Sequence, residues 1–205
     1  MRAPSLLPGW SRGHVVTHIA RNADGLRNLL VWARTGVETP QYPSWEQRNL
    51  DIDSGAGRSA ADLVEDSRAA AERFADEVSG LTPEQWDAPV RKLSSTTSFP
   101  ARDVLLSRRT EVEIHHADLG IGYTAADWPA DFISMTIGRV QDDRSGGPSM
   151  VLSSTDVDGL WKLGPGPGPE IRGTAADLAW WLVGRGDGSR LVSSTDEVPQ
   201  LAKWR

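Results

Sequence analysis

Apolar side chains recur at three- and four-residue intervals along three long stretches of the chain. This period is typical of amphipathic helices with one face buried in a core. The pattern predicts helices at residues 12–35, 60–79 and 101–119, each followed by a glycine that can end a helix. Residues 36–57 contain two prolines and no sustained period, and they are interpreted as a loop.

The pattern changes after about residue 125. Helices and short β-like runs now alternate around the glycine- and proline-rich stretch GPGPGP. Helices are predicted at 129–142 and 174–183, and strands at 149–154 and 159–163. We therefore expect a mainly α protein in which a helical bundle (residues 1–125) precedes a small α+β domain (residues 126–205).

Composition and charge narrow the range of partners. The chain has 205 residues and a net charge of −6, with no polybasic run, which disfavours nucleic acid or an anionic membrane as partner. No window approaches the roughly 18 apolar residues that would span a bilayer, and the N-terminus lacks the apolar core of a signal peptide. A cytoplasmic protein is expected.

The chain contains no cysteine. Disulfides, cysteine-based zinc sites and a cysteine nucleophile are thereby excluded. Any thiol chemistry must use a thiol that comes from outside the polypeptide.

Several polar residues that are unfavourable to bury lie on the interior stripe of the predicted helix 101–119. Arg108, Glu111, His115 and Asp118 recur there among apolar residues. Burying such groups is unfavourable unless they are paired or bind a metal ion. Glu111 and His115 are four residues apart and project from one face, so they could bind the same ion. The alternative is an internal salt-bridge cluster, with Glu111 paired to Arg108 and Asp118 paired to a histidine.

The first helix adds histidines to the same interior. His14 and His18 are four residues apart, and His18 shares a stripe with apolar residues. Two histidines and one carboxylate form a ligand set common at catalytic zinc, where the fourth position stays open for water or substrate. Spacing alone does not decide whether His14 or His18 is the metal ligand. It also leaves Glu113 as an alternative ligand to Glu111, and His116 as an alternative to His115.

Other catalytic motifs are missing. The chain contains no HExxH, GxSxG or P-loop motif. The stretch GRGDGS at 184–189 lacks the spacing of a dinucleotide-binding fingerprint, and by itself it suggests that Arg185 is an ordinary surface arginine.

Four segments, in order along nearly the whole chain, carry a family resemblance. They are LLPGWSRGHVVTHIARNADGL, WARTGVETPQYPSWEQRN, RRTEVEIHHADLG and LVGRGDG with the following VSSTDEVP. Together they resemble the mycothiol-dependent maleylpyruvate isomerases of the DinB-like metalloenzyme superfamily. The resemblance implies a DinB-like bundle; the family usually has a further helix ahead of the GW motif, so we expect three long bundle helices here in place of four.

The resemblance also implies roles for individual residues. The metal ligands would be His18, Glu111 and His115, with His14, Glu113 and His116 as neighbours only. Arg185 matches a catalytic arginine, and Arg48 in the QRN triplet matches a position expected to face the same cleft.

The implied function is cis–trans isomerisation of maleylpyruvate to fumarylpyruvate, with zinc or another divalent metal and mycothiol as cofactors. The expected partners are a small-molecule substrate and this thiol. Two alternatives remain: another mycothiol-dependent S-transferase, and a non-catalytic DinB-like protein that binds a ligand or a partner.

Overall fold

The computed structural model describes residues 1–195, 197–201 and 204. The chain divides into two compact units, Met1–Gly122 and Tyr123–Arg205. No helix in the described ranges is both long enough and apolar enough to cross a membrane.

The first unit is a helical bundle organised around its first helix. Its helices are α1 (Arg12–Thr35), α2 (Trp45–Gly55), α3 (Ala60–Ser79) and α4 (Asp103–Asp118), with a two-residue antiparallel pair formed by β1 (Pro89–Val90) and β2 (Phe99–Pro100). Helix α1 packs against α2, α3 and α4. A buried cluster joins α1 to β1 and to the start of α4, and its members are Leu26, Leu29, Leu30, Ala33, Val90, Ala101 and Val104.

Local chemistry explains where α1 begins and ends. The Ser11 side chain accepts a hydrogen bond from the backbone N–H of His14, and the His14 ring accepts one from the backbone N–H of Ser11. This reciprocal capping box satisfies N–H groups that have no partner within the helix. Gly36 then adopts a left-handed conformation with φ of 72°, which ends the helix at Thr35 as predicted.

The interpretation of residues 36–57 as a loop is wrong for its second half. Helix α2 begins after Ser44, whose side chain accepts a hydrogen bond from the backbone N–H of Gln47. Ile52 is the buried residue of this helix, so its sequence carries almost no apolar period. A short, mostly exposed helix has few apolar positions to reveal its period. The N-cap residue Ser44 was the one feature of the sequence that indicated this helix.

A polar seam joins α1 to α3 one turn after His18. The Asp66 carboxylate accepts hydrogen bonds from Arg21 and from Arg58, both at 2.6 Å. Burial alone would raise the pKa of Asp66, but the hydrogen bonds and charges of the two arginines outweigh it and lower that pKa. The seam thus fixes α3 against the helix that carries His18.

Two apolar residues of α4 that share the helical period of the interior stripe are exposed. Leu105 is 39% exposed and Val112 is 36% exposed, whereas Val104 is fully buried. Within the first unit α4 packs against α1 and β2. A helix with partners on one side buries one side, so the stripe is narrower than its period suggested.

The second unit places helices against a small mixed sheet. Its elements are helix α5 (Ala130–Asp143), strands β3 (Met150–Ser154), β4 (Leu160–Leu163) and β5 (Glu170–Gly173), helix α6 (Ala175–Leu182) and strand β6 (Val192–Ser193). The strand order is β4-β3-β5-β6, with β3 and β5 parallel and the other neighbours antiparallel. Both α5 and α6 pack on this sheet, and the fold is mainly α with a small α+β part, as predicted.

The predicted elements of the second unit are confirmed to within about one residue at most ends. Strands β5 and β6 were missed. Strand β5 directly follows GPGPGP, which carries the chain from β4 past β3, and only two of its four residues are buried. A four-residue strand beside such breakers has too few alternating positions to be recognised.

Candidate metal centre

The cluster formed by His18, Glu111 and His115 joins two helices of the bundle. His18 lies on α1 and is almost fully buried, while Glu111 and His115 lie one turn apart on α4. One potential ligand atom from each residue lies within 4.8 Å of the others. The packing of α4 against α1 therefore brings together residues that are distant in sequence.

The distances within this cluster fit a metal site. His18 Nε2 lies 2.9 Å from Glu111 Oε2 and 3.1 Å from His115 Nε2, and His115 Nε2 lies 3.4 Å from Glu111 Oε2. Tetrahedral zinc with metal–ligand bonds near 2.1 Å separates its ligand atoms by about 3.4 Å. Adjustments of up to about half an ångström would accommodate the ion, and the donor set of two imidazoles and one carboxylate suits zinc.

The cluster has a buried side and an accessible side. The His18 and His115 side chains are 5% and 12% exposed, whereas the Glu111 side chain is 33% exposed. An ion held here would be anchored from within the bundle and approached from the side of the carboxylate. This is the arrangement of a site with an open coordination position.

Burial and mutual contacts perturb the pKa values of all three groups. Burial lowers the pKa of His18 to about 4, so its ring is neutral near pH 7. Burial also opposes the charged form of Glu111, but hydrogen bonds from the two histidines outweigh it and hold the carboxyl pKa well below 4.5. For His115 burial lowers the pKa, yet the contacts with Asp118 and Glu111 prevail and raise it. A neutral ring beside an ionised carboxylate is what a metal ion requires.

Arg48 lies beside this cluster and close to two aromatic rings. Helix α2 places one guanidinium nitrogen 3.0 Å from His18 Nδ1. The guanidinium carbon lies 5.8 Å from the ring centre of Tyr42 and 5.9 Å from that of Trp45. A positive charge this close to the cluster could bind a carboxylate.

The salt-bridge alternative from the sequence is half correct. Arg108 donates to the backbone oxygen of Ile19 and to the side-chain oxygen of Asn22, at 2.7 and 2.9 Å. Glu111 contacts the two cluster histidines instead. The expected pairing of Asp118 with a histidine does occur, because His115 Nδ1 lies 2.8 Å from Asp118 Oδ2.

The neighbouring histidines and Glu113 are not members of this cluster. His14 instead forms the capping box of α1, with its Nδ1 atom 2.7 Å from the Ser11 hydroxyl. His116 is exposed on α4, and Glu113 is half-buried on the same helix. His14 precedes His18 by one turn, but it is engaged at the helix start and points to a different set of contacts.

Sequence reasoning gave no role at the metal site to three residues near the cluster, although it allowed Asp118 to pair with a histidine. The Trp10 ring lies edge-on to His18, with ring centres 5.5 Å apart. Tyr42 is buried next to Arg48, and burial raises its pKa. Asp118 is fully buried against His115. Asp118 alone carried a usable signal, because a carboxylate three residues after a candidate ligand can reach its second ring nitrogen.

Arg185 belongs to the second unit, in the loop that follows α6. Its backbone N–H donates to the oxygen of Trp180 at 3.2 Å, and its side chain is half-buried. Gly184, just before it, adopts a φ of 73°, which turns the chain sharply away from α6. Arg185 is thus partly exposed in a turn that bonds to the end of α6, which is compatible with the surface position that the Gly-rich sequence suggests.

Comparisons with known proteins decide the family. The model of the mycothiol maleylpyruvate isomerase N-terminal domain matches residues 1–120, and the model of the MDMPI C-terminal domain, named for the same isomerase, matches residues 127–203. The chain belongs to the mycothiol-dependent maleylpyruvate isomerase family.

Solved structures agree with this family assignment. The crystal structure of the mycothiol-dependent maleylpyruvate isomerase is 31% identical, with a TM-score of 0.90 over 98% of this chain and 84% of that chain. A histidine-to-alanine mutant of the mycothiol-dependent maleylpyruvate isomerase is 30% identical, with a TM-score of 0.91 over 99% of this chain and 85% of that chain. No curated protein matches the chain significantly. The mycothiol-dependent isomerase family thus accounts for both units of the fold.

Proposed function

We propose that this protein isomerises maleylpyruvate to fumarylpyruvate, with mycothiol as thiol cofactor and a divalent metal ion, most simply zinc, held by His18, Glu111 and His115. The observation that carries the proposal is the convergence of these three ligand atoms in a chain of this family. The absence of cysteine fits, since the nucleophilic thiol must come from the cofactor.

Two absent groups would supply the chemistry that the side chains lack. Mycothiol would supply a nucleophilic thiol, whose reversible addition to the conjugated double bond would allow rotation from cis to trans. The metal ion would supply Lewis acidity, to lower the pKa of a bound thiol or to polarise a substrate oxygen.

The protein's own residues would hold the substrate while this exchange takes place. Maleylpyruvate is a dicarboxylate, and the guanidinium of Arg48 beside the cluster would bind one carboxylate. Arg185 is proposed to hold a carboxylate or to stabilise the enolate, where negative charge develops on the carbonyl oxygen during addition. The buried histidines would keep one side of the cluster closed, leaving the Glu111 side for substrate and thiol.

The proposal is tested by incubating metal-loaded protein with maleylpyruvate and following the trans product by chromatography, with and without mycothiol. Conversion should require the thiol. Efficient conversion in thiol-free buffer would refute the thiol mechanism. Conjugation of mycothiol to an unrelated electrophile, with no isomerisation, would favour the S-transferase; no thiol-dependent reaction at all would favour a non-catalytic binding protein.

A further inference from the structure

The two histidines of the metal cluster have neighbours of opposite kind at their second ring nitrogen. His115 Nδ1 lies 2.8 Å from a carboxylate oxygen of Asp118, and His18 Nδ1 lies 3.0 Å from a guanidinium nitrogen of Arg48. A carboxylate accepts hydrogen bonds, whereas a guanidinium only donates them. The two contacts therefore favour different tautomers of the two rings.

The contact with Asp118 prepares His115 to bind a metal ion. Since Asp118 accepts, His115 Nδ1 carries the ring proton and donates it, which leaves the lone pair of Nε2 directed into the cluster. Asp118 is fully buried, and its backbone oxygen accepts a hydrogen bond from the N–H of Leu6 at 2.8 Å. A buried carboxylate held in this way orients the ring and sets its tautomer, as is common behind metal-binding histidines.

The contact with Arg48 has the reverse effect on His18. Since Arg48 donates, His18 Nδ1 must accept, and the proton of the neutral ring then lies on Nε2. That proton points at two acceptors, Glu111 Oε2 at 2.9 Å and His115 Nε2 at 3.1 Å. In this arrangement the lone pair of His115 Nε2 also faces Glu111 Oε2 at 3.4 Å with no proton between them. A neutral His18 ring protonated at Nε2 cannot bind a metal ion through that atom.

We propose that Asp118 and Arg48 are positioning residues with opposite effects on metal binding. Asp118 presets His115 for coordination. Arg48 holds His18 in the tautomer that does not coordinate, so that metal binding moves the ring proton to Nδ1 and displaces the guanidinium. The displaced group keeps its contacts with Asn49 and the Tyr42 and Trp45 rings, and it becomes available to a substrate carboxylate. The proposal rests on the proposed metal site and not on the isomerase reaction.

Nitrogen NMR of the histidine rings tests the proposal directly. The chain has four histidines, so each ring can be assigned in protein labelled with 15N-histidine by substituting one histidine at a time. At pH 8, in chelator-treated protein, we expect His115 protonated at Nδ1 and His18 at Nε2. One equivalent of zinc should move the His18 proton to Nδ1. A His18 ring already protonated at Nδ1 before zinc is added would overturn the role of Arg48.

Zinc affinity, measured by competition with a chromophoric chelator, gives a second test. Asp118→Ala should weaken binding by about 10- to 100-fold, and Asp118→Asn should recover much of this loss because its amide oxygen can accept from Nδ1. Arg48→Gln should strengthen binding by about tenfold, the effect of one hydrogen bond to a charged group. Unchanged or weaker binding by Arg48→Gln would contradict the proposal.

Controls distinguish the effect of the His18 tautomer on zinc binding from the effect of positive charge and from failure of the metal site itself. Arg21→Gln removes a positive charge from α1 one turn after His18, but Arg21 bonds to Asp66 and not to a histidine. It should leave zinc affinity within about twofold of wild type. A gain equal to that of Arg48→Gln would show a charge effect only. If the wild-type protein binds no zinc, the metal site fails and the proposal with it, whereas loss of isomerase activity alone would leave the proposal intact.

Discussion

His18 Nε2 lies 3.1 Å from His115 Nε2, although 97 residues separate the two along the chain. Their rings are perpendicular, with centres 4.6 Å apart, and the two Nε2 atoms lie 2.9 and 3.4 Å from Glu111 Oε2. Two ring nitrogens and a carboxylate thus form a donor set that suits a divalent cation.

The first prediction is that this cluster holds about one divalent metal ion per chain. Changing His18, Glu111 or His115 to alanine removes a ligand and should abolish stoichiometric metal, measured by elemental analysis of purified protein. His14→Ala and His116→Ala are matched controls from the same two helices and should retain the ion. Full metal content in His115→Ala would show that the ligands have been wrongly assigned.

A second prediction concerns Arg185, which sequence resemblance makes a catalytic residue. If it stabilises charge that develops during the reaction, Arg185→Ala should lower turnover by about 100- to 1,000-fold, equivalent to roughly 3–4 kcal/mol. Arg185→Lys keeps the charge but loses the planar fork, so it should also be impaired. Turnover near the wild-type value in both variants would make Arg185 a structural residue of its turn. Metal content and circular dichroism should be unchanged.

The stability of the fold at low pH tests the polar contacts of Asp66 that fix α3 to α1. The pKa of Asp66 is lowered from 3.8, so in acid the unfolded chain takes up this proton before the folded one does. Asp66 should therefore stabilise the fold fully above about pH 4 and lose this effect as the pH falls through its folded pKa. Asp66→Asn should lower the free energy of unfolding by about 1 kcal/mol at pH 7, since both arginines are partly exposed.

Urea denaturation at pH 7 and at pH 3 measures this difference. The difference in free energy of unfolding between wild type and Asp66→Asn should be smaller at pH 3 than at pH 7. A difference of the same size at both pH values would argue against the ion pairs. Glu65→Gln, on the preceding residue, is the control. Glu65 pairs with Arg68 at 3.6 Å, and both side chains are well exposed, so the effect of this substitution should be close to zero at either pH.

The sequence predicts the long helices well, because a buried face repeats often enough along α1 and α4 to define each period. It identifies Glu111 and His115 as sharing a face for the same reason. The choice between His14 and His18 requires more, namely where α1 begins and which part of it meets α4. Helix α2 escaped prediction because one buried residue, Ile52, cannot establish a period, and Arg48 on this helix was singled out only through the family resemblance.

The surroundings of the cluster depend on contacts between distant parts of the chain, which local patterns do not report. Tyr42 reaches Arg48 from a loop, and Trp10 reaches His18 from the segment before α1. Asp118 is different, since its partner His115 lies three residues away on the same helix. Its pairing with a histidine was foreseen from helical geometry, as part of the salt-bridge alternative.

The central claim is that isomerisation needs both a metal ion at His18, Glu111 and His115 and an external thiol. It is tested most directly by measuring maleylpyruvate turnover in chelator-treated protein and again after one equivalent of zinc is restored, each with and without mycothiol. Turnover should fall by more than about 100-fold on metal removal, because several kcal/mol of transition-state stabilisation are lost. It should return only when zinc and mycothiol are both present. Undiminished turnover by the metal-free protein would contradict the account.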